Sequence, residues 1–125
     1  METARGKLFS RIEANEQFGL PLFSLEIKNE IISDCLGKST GFIMFNIIND
    51  TIYILDNQRN TLLPLGASVE KEVVFKTFDI DIVNELMKSG NEPVTFIESR
   101  KDNVISLTNG EVTLELSWPC PPSCW

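Results

Sequence analysis

Apolar residues recur along this chain with two periods, and the period changes near residue 40. Between residues 7 and 18, Leu8, Phe9 and Ile12 stand at helical spacing, and Gly19 follows as a residue able to end a helix. From Ser24 the stripe is longer, with Ile27, Ile31 and Cys35 recurring every four residues and Ile32 and Leu36 widening it. Ser24 can cap that stretch, Glu26 adds negative charge to its first turn, and Gly37 stands where a helix needs a left-handed residue. The spacing predicts helices over 7–18 and about 25–36.

Beyond them, Phe42 to Ile48 and Thr51 to Leu55 are rich in β-branched and aromatic residues and flank Asn49-Asp50, two residues that tolerate positive φ. This predicts a hairpin. Residues 61–65 and 71–78 read as further extended segments, separated by Pro64, Gly66 and Ser68. A third helix is predicted over about 80–89. There Ile82, Val83, Leu86 and Met87 share a face, Asp79 and Asp81 favour the start, and Lys88 and Gly90 the end.

After Pro93, three strands read as a meander: Val94 to Arg100, Val104 to Thr108, and Glu111 to Ser117, with turns at Asp102-Asn103 and Asn109-Gly110. In the last of them Val112, Leu114 and Leu116 alternate with Glu111, Thr113 and Glu115, the pattern of one buried and one wet face. The expected fold class is α+β: an antiparallel β-sheet, hairpin plus C-terminal three-stranded meander, with two or three helices packed on one face. Its expected core comprises Ile27, Ile31, Cys35, Phe45, Ile47, Ile54, Val83, Leu86, Val112, Leu114 and Leu116.

At 125 residues and 42% hydrophobic composition the chain can bury one ordinary core. The expected organisation is a single α+β domain over 1–117 followed by a Pro/Cys/Trp-rich C-terminal tail, 118–125. Charge alters the picture, because 18 acidic against 11 basic residues leave a net −7. Residues 1–38 hold five basic and six acidic groups, net −1, and residues 39–125 hold six and twelve, net −6. Nucleic acid is not an expected partner, because neutralising phosphates takes clustered Lys and Arg and the longest basic run is Arg100-Lys101. No stretch approaches the roughly 18–20 apolar residues of a membrane span, and the N-terminus lacks the apolar core of a secretory signal. A cytoplasmic location and no membrane partner are therefore expected. Asn49-Asp50-Thr51 fits the glycosylation pattern but reads as a turn.

Candidate chemistry is sparse. The chain has no histidine, which removes the commonest general base, the commonest metal ligand and the Ser-His and Cys-His nucleophile pairs. The carboxylate pairs Asp79/Asp81, Glu70/Glu72 and Glu111/Glu115 have plainer accounts as helix-end charge and solvated strand faces. Gly37-Lys38-Ser39 resembles the end of a phosphate-binding loop, but Ile32 stands where that loop needs glycine, and the expected order of helix and strand is reversed.

Cys35 reads as a small buried hydrophobe. Cys120 and Cys124 form a C-x₃-C spacing among prolines, for which a tail disulfide is the readiest redox form, although a reducing cytoplasm would keep both as thiols. Trp118 and Trp125 accompany them, placed either to anchor a partner or to fold back over an apolar edge. No cofactor and no metal ion are expected.

The expected function is a non-enzymatic protein-binding domain. Small acidic bacterial immunity and antitoxin-like inhibitors of a basic partner offer an analogy in size and charge. The candidate partner-binding residues are Glu98, Glu111, Thr113 and Glu115 on the wet sheet face, with Trp118 and Trp125 in the tail. A structural or assembly subunit forming a homo-oligomer is one alternative, and an enzyme using carboxylates or cysteine is the other.

Overall fold

In a computed structural model, which describes residues 4–122 and 124, the chain forms two antiparallel five-stranded sheets and three α-helices, an α+β fold. The first sheet has the order β1 (Lys7–Ser10), β9 (Val112–Glu115), β8 (Val104–Asn109), β7 (Val94–Arg100), β2 (Phe23–Lys28). The second has the order β10 (Trp118–Cys120), β6 (Phe75–Asp79), β3 (Phe42–Ile48), β4 (Thr51–Leu55), β5 (Thr61–Leu63). The helices are α1 (Arg11–Phe18), α2 (Asn29–Leu36) and α3 (Ile80–Gly90).

Both early helices start later than their apolar spacing predicts. Ser10 accepts the Glu13 amide while the Glu13 side chain returns to the Ser10 amide, a reciprocal cap that starts α1 at Arg11. Lys7 to Ser10 pair with Glu115 to Val112 instead of coiling. In the same way Phe23 to Lys28 pair with Ser99 to Val94, so Ser24 lies within a strand and caps no helix. With α2 beginning only at Asn29, its buried stripe is Ile32, Cys35 and Leu36, and Ile31 is exposed. Gly37 is right-handed, with φ −67°. At the end of α3 the left-handed residue is Asn91, with φ 57°. Gly90 instead supplies close approach, because a Cβ there would stand 2.2 Å from the Asn109 carbonyl oxygen.

The Asn49-Asp50 hairpin forms, with both residues at positive φ between the paired Ile48 and Thr51. The core takes Ile27, Ile97, Leu107 and Leu114 from the first sheet, Ile43, Phe45, Ile54 and Phe78 from the second, and the inward faces of α2 and α3. Ile47 and Val112 pack against it half-buried. Leu116 does not belong to it: β9 ends at Glu115, and Leu116 turns out at φ 62° with half its surface exposed.

Cys120 and Cys124 are joined in a disulfide, and Trp118 to Cys120 pair with Thr77 to Phe75. Trp118 is half-buried beneath the Arg5 guanidinium, which also stacks on Phe42. Trp125 lies outside the described residues. Among the described residues no helix is long and apolar enough to cross a membrane.

An acidic cleft beside a buried arginine

Strand alternation sorts the first sheet into two faces. Ile97, Leu107 and Leu114 point into the core, and Phe96, Glu98, Arg100, Ser106, Thr108, Thr113 and Glu115 share the opposite face. That opposite face is not wet throughout, as the alternation of β9 had suggested. Glu98 is only 6% exposed, and Thr113 and Glu115 are fully buried. The cause is α1, which packs on β1 and β9, buries Ala14 completely and is anchored where the Arg11 amide donates to the Glu111 carbonyl.

Beneath α1 sits Arg100, 1% exposed. Its guanidinium donates to Asn15 Oδ1, to the Gly19 carbonyl, to Ser106 Oγ at 2.9 Å and to Glu98 Oε1 at 3.3 Å. Glu115 Oε2 stands 3.0 Å from Arg100 Nε, but the Nε hydrogen is directed at Ser106, so this oxygen is ion-paired without a hydrogen bond. Its sister Oε1 accepts from Ser106 Oγ at 2.6 Å. Burial pushes the Glu115 carboxyl above the ordinary carboxylate value, opposed by the Ser106 hydrogen bond and the Arg100 charge and reinforced by Glu98. One guanidinium thus faces two carboxylates, so the network carries a surplus negative charge when both are ionised.

The surplus opens to solvent at one place. Past α1, the face bears a cleft of about 320 Å³ lined by Arg11, Ser24, Val94, Phe96, Glu98, Thr108 and the turn at Gly110-Glu111, with Glu92 at its rim. Glu98 and Thr108 form its polar floor. Glu98 Oε1 is saturated by Arg100 and by Thr108 Oγ1 at 2.6 Å, whereas Oε2 has no hydrogen-bond partner among the described residues. The Glu98 side chain is nine-tenths buried, at 8% exposure, and its remaining surface faces the cleft. Phe96, 37% exposed, supplies an aromatic wall, and Glu92 and Glu111 outnumber Arg11 at the rim. Such a pocket suits an ammonium or guanidinium group, which can pair with a desolvated carboxylate and lie against a ring.

Of the residues singled out from sequence, the cleft gathers Glu98 and Glu111. Thr113 and Glu115 are shut beneath α1, and Trp118 belongs to the second sheet. Ser24, Phe96, Thr108, Arg11 and Arg100 were missed. The available signal was Phe96, an aromatic in the same strand phase as Glu98 and Arg100. Among the described residues no group of three His, Cys, Asp or Glu is placed to hold a metal ion. Compared with protein-family models, curated proteins and solved structures, the chain matches none.

Proposed function

We propose that this chain is a non-enzymatic protein-binding domain whose cleft receives a Lys or Arg side chain of a basic partner. The observation carrying this reading is the open Oε2 of Glu98, an unpartnered carboxylate oxygen on a nine-tenths buried side chain at the floor of a cleft. A cation arriving there offsets the surplus charge of the Arg100 network. The side chain that meets it is already held by Arg100 and Thr108, so little ordering entropy is lost on binding. Phe96 adds a ring face, and the net −7 of the chain speeds encounter with basic proteins.

The test is an NMR titration with Nα-acetyl-arginine methylamide. Saturable shifts are expected at the Phe96, Glu98 and Thr108 amides, and Glu98→Gln should weaken binding about tenfold. Phe96→Ala, which leaves the Arg100 network intact, should weaken it less. Shifts confined to other acidic surface, or unchanged in both variants, would remove the cleft as the site.

A further inference from the structure

The cleft borders the open edge of the first sheet. Asn29 N–H donates to the Pro93 carbonyl, and the paired positions of β2 and β7 continue that register, Ile27 with Thr95 and Leu25 with Ile97. In an antiparallel ladder hydrogen-bonded pairs alternate, so the backbone groups of Ser24, Glu26 and Lys28 point away from β7. The β2 edge is six residues long, against three each for the edge strands β10 and β5 and four for β1. Natural sheets usually keep such edges short or covered. Exposed apolar side chains stand at the start of β2: Leu20 at 70% and Leu22 at 72% in the chain entering it, and Phe23 at 40% as its first residue.

Register joins edge to cleft. Ser24 lies directly opposite Glu98 and Glu26 opposite Phe96, on the cleft face. A strand added beyond β2, one spacing of about 4.8 Å away, would face Ser24 with one residue and Glu26 with the next residue on the same side. Because Ser24 is small, a long side chain from that first position can cross it to Glu98.

Resting on the cleft reading, we propose that the partner docks as an extended strand on the free edge of β2. It would place an Arg or Lys opposite Ser24, with its cation at Glu98 Oε2, and a second basic residue opposite Glu26. Main-chain bonds to Ser24 and Glu26 supply affinity, and the cleft selects the side chain.

The probe is the peptide acetyl-Thr-Val-Lys-Val-Arg-Val-Thr-amide, compared with a version N-methylated at its Lys and Arg amides, which keeps both charges and loses the strand hydrogen bonds. The parent peptide should bind, and methylation should weaken it about tenfold or more. Glu26→Pro, which removes an outward N–H from an edge strand, should weaken the peptide similarly relative to Glu26→Gln. Both Glu26 variants should still bind Nα-acetyl-arginine methylamide.

Equal affinity for the two peptides would overturn strand addition and leave the cleft reading standing. Failure of the arginine amide to perturb the cleft in the parent protein would overturn the cleft reading itself. If the protein alone sediments as a dimer that Glu26→Pro dissolves, the edge belongs to a second copy of this chain and the basic partner is excluded from it.

Discussion

Each sheet carries on its outer face an arginine with several hydrogen-bond acceptors, Arg59 on the second and Arg100 on the first, and these two arginines do opposite things. On the second sheet, Met44, Leu55, Phe75 and Cys120 form an apolar cluster with Cys124. Arg59 binds neutral acceptors there, donating to the carbonyls of Glu70, Val73 and Cys120 while its guanidinium lies 5.4 Å from the Phe75 ring centroid. It fastens a loop and the C-terminal segment over a dry cluster. On the first sheet, Arg100 meets two carboxylates and the Ser106 hydroxyl, and leaves one carboxylate oxygen facing a cleft. An arginine bonded to carbonyls completes a structural seal, whereas one outnumbered by carboxylates leaves charge for something else to meet.

The contrast is broken most forcefully by removing Arg100. Arg100→Met strands Glu98 and Glu115 without a cation and should cost about 3–5 kcal/mol at neutral pH by chemical denaturation. Adding Glu115→Gln should return part of that loss, since one stranded charge then disappears. A loss well under about 1 kcal/mol would mean that the network is solvated, as exposed ion pairs are.

Arg59→Met should cost less, about 2 kcal/mol, because carbonyls left without a donor are neutral. Hydrogen exchange should quicken around residues 70–73 and 118–120 and stay unchanged under α1. Removing the Cys120–Cys124 disulfide with a Cys120→Ala/Cys124→Ala double variant frees the unfolded chain from only a short closed loop, and a loss of about 2 kcal/mol is expected in a thermal or denaturant melt. That loss should add to the Arg59→Met loss less than fully, since Arg59 donates to the Cys120 carbonyl.

The smallest effect is electrostatic. The Glu115 carboxyl is raised above its ordinary 4.5 by burial, so the folded state holds its proton more tightly than the unfolded chain does. Stability from this group is complete below about pH 4.5, falls as pH rises from there through the raised value, and is level above it. Glu115→Gln should abolish that fall. Urea midpoints of the parent and variant, followed across this window, should converge at low pH and separate as pH rises. Parallel curves would show that Glu115 titrates as an exposed carboxylate does.

Elements set by neighbouring residues were legible in the chain. The Asn49-Asp50 turn needs only two residues at positive φ between strand-forming runs, and α3 carries its own start and stop signals. The apolar spacing of Lys7–Ser10 and of residues 25–28 happens to suit a helix. What makes them strands is pairing with β9 and β7, far along the chain. The candidate site divides the same way. Alternation placed Glu98, Thr113 and Glu115 on one face correctly, but nothing local revealed that α1 would cover Thr113 and Glu115 and stop short of Glu98. Arg100 was invisible as a hub because its partners, Asn15, Gly19, Ser106 and Glu115, converge only in the folded chain.

That Glu98 keeps one oxygen open for a cation is best checked in a crystal of the protein soaked with Nα-acetyl-arginine methylamide. The guanidinium is expected in the cleft, within about 3 Å of Glu98 Oε2 and against the Phe96 ring, with the Arg100 contacts undisturbed. A cleft in which Glu98 Oε2 is instead bonded to a protein group, or a guanidinium seated elsewhere on the acidic surface with the cleft vacant, would contradict it.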